Sequence, residues 1–339
     1  MATLCGEMRQ QLGGWMGGSE KRAAIYAEGR SGLARDVAIL SEMLVASGCE
    51  VEIRPYRRSK RFDRLFALGA RYLPRIPTYD LQVFVERFDV RMLPFGKKNV
   101  FLPNQEWFDP RSERLLIGFD ALMCRSEHAA EIFRAKHRRV GHFVFTGVDR
   151  SISPAPPRTR ILHVASHSKF KGTQQLLDIW TRNPAWPTLT VTHAAGVAAP
   201  VQLANVEQHI GFFDDAKIRQ LQNEAWLHIQ TSEVEAFGHC FVEAMSCHGV
   251  VITTDAPPMN EIVTTDVGAL VPADDGPPLN LGRRYSARPE DLERIIADML
   301  RLDETARQAM ASRSRQRFDS LDRQAREVFR REFVKLLSE

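Results

Sequence analysis

The stretch Glu235-Ala-Phe-Gly-His-Cys-Phe-Val-Glu243 joins an apolar strand pattern at residues 226–230 to a helical pattern at residues 241–247. Glycine at such a junction permits a tight turn, and the first amides of the next helix have no partner inside that helix. These amides can bind an anion at the carboxyl end of the strand. The stretch therefore predicts one strand-turn-helix unit of a parallel α/β sheet.

Two carboxylates, Glu235 and Glu243, flank this turn. On one continuous helix, a separation of eight residues would place them about 12 Å apart along the axis. Glycosidase carboxyl pairs lie roughly 5–9.5 Å apart, so the spacing fits a hydrolase poorly. It fits a ligand with a sugar at one end and a ribose at the other, whose diphosphate faces the amides of Phe237, Gly238 and His239. Two unrelated surface glutamates explain the spacing alone equally well.

The alternation of short apolar runs and helical patterns continues in both directions. Before the proline-rich segment 151–160, strands are predicted at 23–27, 51–53, 81–85, 100–102, 121–123 and 142–145, with helices at 33–47 and 127–136. After it, strands are predicted at 161–165, 189–192, 206–209, 226–230 and 250–253, with helices at 173–181, 214–223, 241–247 and 260–265. Residues 274–286 are predicted to form a Gly/Pro-rich loop, and the charged chain from 289 onward to be helical.

This alternation predicts two Rossmann-like α/β domains that face each other across a cleft. The expected limits are 1–150 for an acceptor-binding domain and 151–315 for a nucleotide-sugar-binding domain. Residues 316–339 are expected to form a terminal helix that can cross back to the first domain. A length of 339 residues suits two domains of about 150 residues each.

Composition indicates a globular protein of a reducing compartment. Hydrophobic residues make up 44% and charged residues 26% of the chain, and no apolar run reaches the roughly 18–20 residues that span a bilayer. With no secretory signal at the N-terminus, a cytoplasmic location is expected. The five cysteines are scattered and form no CxxC pair, which argues against a disulfide framework or structural zinc. Core packing is expected for Cys240 and Cys247.

Two other strand-to-helix turns carry groups suited to phosphate. Gly29-Arg30-Ser31-Gly32 does not match the GxGxxG pattern, which argues against a dinucleotide-dependent dehydrogenase. The alternative is that its glycines only allow the chain to turn. The run Lys169-Phe-Lys171-Gly-Thr173 places lysine beside a helix start but lacks the Walker pattern. A lysine on a surface turn is the alternative there.

Together these segments resemble, in order, the motifs of retaining GT-B glycosyltransferases of the family-four type, the glycosyl transferases group 1. The resemblance covers about residues 23–270. The matching segments are Glu235 to Glu243 with its E-x7-E pattern, Lys171-Gly172 as the donor-phosphate KG, Phe145-Thr-Gly-Val-Asp149 before the linker, Gly211-Phe212-Phe213-Asp214-Asp215 beside the nucleotide base, and the strand and turn from Val250 to Glu261.

The resemblance implies an enzyme that moves a sugar from a nucleotide-sugar donor to an acceptor with retention of configuration. It implies no metal and no separate cofactor, because the nucleotide sugar is itself a substrate. Glu243 would bind the ribose hydroxyls and Glu235 would lie near the donor sugar. Lys171 would stabilise the departing nucleoside diphosphate, while the amides of Phe237, Gly238 and His239 would hold its phosphates. Further donor contacts are assigned to Lys169, Ser166, Gly211 and Phe212, and the acceptor-side loop to Gly29, Arg30, Ser31 and Gly32.

Two departures from the family pattern alter this assignment. The arginine expected before the lysine is replaced by Val164-Ala-Ser166, so Lys169 is assigned the missing charge. The N-domain histidine is replaced within Leu102-Pro-Asn104-Gln105-Glu106-Trp107, and Asn104 and Glu106 join Glu235 and Lys171 as predicted catalytic residues, with Gln105 beside them. His239 either reaches a phosphate or is simply packed. A degenerate nucleotide-sugar-binding or scaffold protein, and a GT-B phosphorylase or epimerase, remain alternatives.

Residues 54–75 form a basic segment with eight basic residues and one acid. Residues 59–73 can be drawn as a basic amphipathic helix, which is typical of a membrane-surface contact. This pattern favours a glycan or lipid-linked acceptor and peripheral contact with the inner membrane face. An ordinary helix packed on the first domain is the alternative. A nucleic-acid acceptor ranks lower, because aromatic side chains do not alternate with the basic ones.

Overall fold

The computed structural model describes residues 21–28, 31–56, 76–143, 147–211 and 213–338. The predicted helix at 59–73, and with it the basic segment beyond residue 56, therefore lies outside the described residues, as do Gly29, Arg30 and Phe212.

The first domain is a six-stranded parallel sheet in the order β2-β1-β3-β4-β5-β6. Most positions of the inner strands are buried on both faces of the sheet, which explains their nearly continuous apolar runs. Two 3₁₀ segments, Val90–Phe95 and Pro110–Gly118, were not predicted. The elements are β1 (Lys21–Ala27), α1 (Ser31–Ala46), β2 (Cys49–Pro55), β3 (Tyr79–Val85), β4 (Gly96–Leu102), β5 (Ala121–Cys124), α2 (Glu127–Arg134) and β6 (Val140–His142).

The second domain repeats this architecture, with a parallel sheet in the order β12-β11-β10-β7-β8-β9. Asp214 caps the helix Asp215–Glu224, because its side chain accepts a hydrogen bond from the amide of Lys217 at 2.7 Å. The elements are β7 (Arg160–Ser166), α3 (Thr173–Arg182), β8 (Leu189–His193), β9 (Val206–Ile210), α4 (Asp215–Glu224), β10 (Ala225–Gln230), α5 (His239–Ser246), β11 (Val250–Thr254), α6 (Met259–Ile262) and β12 (Gly268–Val271).

The prediction of an irregular loop at 274–286 is wrong. This segment forms an antiparallel hairpin of β13 (Ala273–Leu279) and β14 (Gly282–Ala287), which is a separate two-stranded sheet. Its prolines are tolerated because they lie where the ladder register shifts, between Asp275 and Pro278. Asn280, at a φ of 52°, supplies the left-handed residue of the turn.

The chain ends in α7 (Pro289–Leu300) and the long helix α8 (Glu304–Ser338). The buried apolar residues of α8 from Phe318 to Leu336 belong to one core cluster with residues of β1, β3 and β4 in the first domain. Arg326 of α8 pairs with Glu42 of α1 at 2.8 Å, and Lys21 donates to the carbonyl of Leu337 at 2.6 Å. The limit predicted at residue 315 falls within this single helix, and the domain limits stay predictions.

Candidate active site

The candidate site lies where the loops that follow β4, β7 and β10 approach one another. Gln105, after β4, donates to the backbone carbonyl of Glu235, after β10, at 3.3 Å. The hairpin reinforces this approach. Asn280 donates to the carbonyl of Glu106 at 2.5 Å, and the amide of Leu281 donates to the carbonyl of Gln105 at 3.1 Å. In parallel α/β sheets, ligands bind at the carboxyl ends of strands, which is where these loops start.

Lys171 and Glu235 form an ion pair inside the site. Glu235 also accepts a hydrogen bond from the hydroxyl of Ser232 at 2.7 Å, and the Lys171 ammonium lies 3.6 Å from the Cys240 sulfur. Burial alone would lower the pKa of Lys171, but Cys240 and Glu235 together raise it above its usual value. Burial raises the pKa of Cys240 to about 12, so its thiol keeps its proton. The site thus holds a permanent cation beside a carboxylate.

The turn before α3 is shaped by Gly172. Its φ is 70°, and a Cβ there would lie 2.5 Å from the hydroxyl oxygen of Thr231, so another residue would be strained and would clash. Below this turn, His163 contacts the Thr173 hydroxyl at 2.8 Å and the Ile229 carbonyl at 2.7 Å. Burial lowers the pKa of His163 to about 4, so it is a neutral support for the loop that carries Lys171.

The predicted diphosphate amides lie where α5 begins. Gly238 has a φ of 104°, and a Cβ there would meet the Phe241 ring at 2.4 Å. Phe237 is buried in the core cluster that spans both domains, which fixes the direction in which the chain enters the helix. Helix α5 begins at His239, so the amides of residues 237–239 lie at a helix N-terminus, where an anion can bind.

Glu243 is only 2% exposed and faces the first domain. One of its oxygens accepts a hydrogen bond from Gln222 at 2.8 Å, and the other is ion-paired with Arg35 of α1. Arg35 also contacts Asp215 at 3.0 Å, and Asp215 pairs with the buried Arg150 at 2.7 Å. The carboxylate predicted to bind ribose is therefore held in a network that crosses the domain boundary.

His239 takes part in a second contact across this boundary. Its Nε2 lies 2.6 Å from a carboxylate oxygen of Asp36, whose other oxygen accepts from Arg125 at 2.6 Å. Burial would raise the pKa of Asp36, but Arg125 and His239 hold it below its usual value. Sequence reasoning missed Arg35, Asp36 and Arg125. The one available signal was the presence of charged residues on the apolar helix α1 and directly after the buried strand β5.

The three residues assigned to replace the N-domain histidine are all buried: Asn104 is 4%, Gln105 2% and Glu106 1% exposed. The amide of Glu106 donates to the Asn104 side chain at 3.2 Å. Burial raises the pKa of Glu106 to about 8; Arg125 opposes this shift, while Glu235 and Glu86 add to it. Glu106 is therefore mostly protonated at neutral pH. It lies close enough to Glu235 for the charge of Glu235 to raise the pKa of Glu106.

The remaining predicted donor residues border the site less closely. Lys169 lines a cavity of about 280 Å³ together with Gly172, Thr173, Thr231 and Glu233. Ser166 ends β7 with a φ of 52° and is exposed. Gly211 directly follows β9, Phe212 lies outside the described residues, and Ser31 and Gly32 begin α1.

The described residues include no group of three or more His, Cys, Asp or Glu side chains placed to hold a metal ion. The described cysteines, Cys49, Cys124, Cys240 and Cys247, are free thiols. Cys247 is buried as expected, whereas Cys240 also contacts the Lys171–Glu235 pair. None of the helices in the described ranges has the length and apolar character needed to cross a membrane.

Residues 197–278, which include the loop after β9 and the whole Glu235–Glu243 stretch, match the family model described as "Glycosyl transferases group 1". The second domain contains a group 1 glycosyltransferase segment. This match confirms the resemblance within that segment, and it covers the part of the site that contains Glu235 and Glu243. No curated protein matches this chain.

Solved structures with the same fold cover nearly the whole chain. A sucrose-phosphate synthase from Thermosynechococcus elongatus aligns with a TM-score of 0.67 at 14% identity, covering 93% of this chain and 98% of that one. The catalytic domain of starch synthase IV from Arabidopsis thaliana, bound to ADP and acarbose, aligns with a TM-score of 0.65 at 10% identity. The alignment covers 95% of this chain and 100% of that one. An alpha,alpha-trehalose-phosphate synthase (UDP-forming) from Burkholderia vietnamiensis aligns with a TM-score of 0.61 at 11% identity. The alignment covers 94% of this chain and 99% of that one. These similarities confirm the predicted GT-B fold.

Proposed function

We propose that this glycosyltransferase moves a sugar from a nucleotide-sugar donor to an acceptor with retention of anomeric configuration. The observation that carries the proposal is the Lys171–Glu235 pair, which lies beside the start of α5 and faces the N-domain loop that contains Gln105 and Glu106. A cation at a helix start suits a diphosphate, and the carboxylate suits sugar hydroxyls.

Lys171 would act on the leaving group. In the described structure its partner is Glu235. A donor diphosphate would displace Glu235 from the Lys171 ammonium, and the Glu235 carboxylate would then be available to the donor sugar. Because the pKa of Lys171 is raised, the side chain stays charged and stabilises developing negative charge without transferring a proton.

Retention follows from attack on the face that the diphosphate leaves. The bond between the anomeric carbon and the phosphate oxygen breaks, and a bond to the acceptor oxygen forms. The acceptor proton passes to the departing phosphate oxygen, so no protein base and no metal are needed. Glu106, protonated near neutral pH, would donate a hydrogen bond within the cleft where related enzymes use a histidine.

Glu243 would bind the ribose only after Arg35 gives way, since the two side chains are paired across the domain boundary. Donor binding is thus linked to the separation of α1 from α5. Lys169, Ser166, Gly211 and Phe212 would complete the donor site, with the amides of 237–239 on the diphosphate.

A cytoplasmic location, a role in glycan biosynthesis, a glycan or lipid-linked acceptor, and peripheral membrane contact through residues 54–75 are parts of the same proposal. The acceptor type and the membrane contact are supported by the basic amphipathic pattern of that segment, and the location by the scattered cysteines without a CxxC pair.

A panel of nucleoside diphosphates and their sugars tests the proposal. Binding is measured by calorimetry, turnover by released nucleoside diphosphate, and the product anomer by NMR. We expect one nucleotide series to bind and its sugar to turn over with retention. Failure of every nucleoside diphosphate to bind would contradict the proposal. Binding without turnover would favour the scaffold alternative, and turnover that requires added phosphate would favour the phosphorylase.

A further inference from the structure

The carboxyl edge of the N-domain sheet carries a group of charged residues, of which only Glu106 has a role in the proposed transfer reaction. Glu28 follows β1, Glu86 and Arg87 follow β3, Glu106 follows β4, and Arg125 follows β5. We call these five residues the acceptor floor. Glu106 places this group at the cleft, because Glu235 of the opposite domain raises its pKa and the neighbouring Gln105 donates to the Glu235 carbonyl at 3.3 Å.

The arginines of the acceptor floor are already balanced by carboxylates. Arg87 lies 3.6 Å from Glu28 and 3.9 Å from Glu86, and Arg125 lies 2.6 Å from Asp36 of α1. Among the described residues of the floor, neither arginine can therefore offer its full charge to an anion.

Several polar atoms at the floor are buried without a hydrogen-bond partner. They are one carboxyl oxygen of Glu106, the Nε and one terminal nitrogen of Arg125, and the side-chain oxygen of the neighbouring Gln105. The three residues are 1%, 4% and 2% exposed, so water reaches them poorly. Unpaired buried donors and acceptors are costly and point to a ligand that supplies both kinds of partner.

We propose that the acceptor floor binds the reacting end of an uncharged, polyhydroxylated acceptor, a sugar or polyol with no phosphate and no amine at that end. The inference rests on the proposed transfer function and specifies the substrate of its second half. Residues Gln105, Glu106 and Arg125 would contact the acceptor hydroxyls.

Hydroxyl groups suit these atoms because each can both donate and accept. Arg125 has spare N–H donors, and Gln105 has a free carbonyl acceptor. Glu106, with its pKa raised by burial to about 8, offers at neutral pH one O–H donor and one acceptor oxygen.

Charged acceptors fit less well for opposite reasons. A phosphate would meet arginines whose charge Asp36, Glu28 and Glu86 already neutralise, and it would add to their negative charge. An ammonium would find these carboxylates occupied by the arginines, and Glu106 uncharged at neutral pH.

The test compares acceptors that differ only in charge. Glucose, mannose, galactose, N-acetylglucosamine and myo-inositol are each offered beside a monophosphate, and glucosamine beside glucose, with the donor found by the nucleotide-sugar panel. We expect a neutral compound to be glycosylated with kcat/KM about 100-fold above that of its charged counterpart. Preference for a phosphorylated or amino acceptor, or failure of every neutral compound to react or to change donor hydrolysis, would overturn the proposal.

Two variants locate the effect at the floor. Glu106→Gln mimics the protonated carboxyl and should keep the preference for neutral acceptors, whereas Glu106→Lys should raise the relative use of a phosphorylated acceptor about 10-fold or more. An unchanged ratio in a folded Glu106→Lys protein contradicts the assignment; if that variant does not fold, loss of the preference in Glu106→Gln contradicts it instead. Calorimetry of the nucleoside diphosphate alone reports on the donor site, so a failed acceptor proposal is distinguishable from a failed transferase proposal.

Discussion

Replacing Lys171 with methionine tests whether its charge acts on the donor diphosphate. The side chain is 15% exposed and is paired with Glu235, which is 14% exposed. Methionine keeps an unbranched apolar side chain but removes the charge. One group aimed at developing charge is worth about 10²–10³ in kcat, or about 3–4 kcal/mol. We expect kcat for nucleoside diphosphate release to fall by about that factor.

The same substitution leaves the Glu235 carboxylate without its cation. Breaking a fully buried pair costs about 3–5 kcal/mol, but Ser232 still donates to Glu235 at 2.7 Å, and both side chains retain some contact with solvent. We therefore expect the free energy of unfolding to fall by about 1–3 kcal/mol. The double variant Lys171→Met/Glu235→Gln removes the unpaired charge and should recover most of this loss.

Activity and stability of the two proteins separate the possible roles of the lysine. Activity is measured as released nucleoside diphosphate at saturating donor, and stability by urea unfolding. The double variant should be nearly as stable as the parent yet keep the lowered kcat of Lys171→Met. If it regained activity, the reasoning would be refuted, since the lysine would then serve only to neutralise Glu235. Lys97→Met is the control, because Lys97 lies at the start of β4 and pairs with Asp80 at 2.6 Å.

Three further outcomes are expected. Arg35→Met should lower the free energy of unfolding by about 1–3 kcal/mol, because it leaves the carboxylate of Glu243 buried without a cation; nucleoside diphosphate should restore more stability to this variant than to the parent in a thermal-melt comparison, and an equal shift would argue against competition with ribose. Glu106 has a folded pKa of about 8, above its unfolded value, so its contribution to stability is complete below about pH 4.5 and is lost as the pH rises to about 8, by up to about 5 kcal/mol. Urea unfolding across this range should show that the decline is reduced in Glu106→Gln; identical pH profiles would refute the burial of this carboxyl. Gly172→Ala should destabilise by about 1–3 kcal/mol and weaken donor binding, whereas Gly196→Ala, at a φ of 79° with no atom within 4 Å of the added Cβ, carries only the backbone strain and should cost less by the same denaturation assay.

Much of the fold could be predicted from local patterns. Buried parallel strands produce apolar runs such as β3 and β10. Gly172 and Gly238 lie at strand-to-helix turns, and both adopt the positive φ angles that glycine favours. The hairpin at 273–287 could not be predicted in this way, because glycine and proline normally mark loops, and its pairing depends on a register that only the folded chain sets.

The sequence by itself determined the two parallel sheets, the strand-turn-helix unit at Glu235 and the neighbourhood of Lys171. It did so because these features depend on residues close together in the chain. The tertiary structure alone decided which charges meet. Lys171 and Glu235 are 64 residues apart, and Asp36 and His239 are 203 apart. The first pair forms because β7 and β10 lie side by side in one sheet, and the second forms only because the two sheets face each other. No local pattern encodes either distance, since each pair joins segments far apart in the chain.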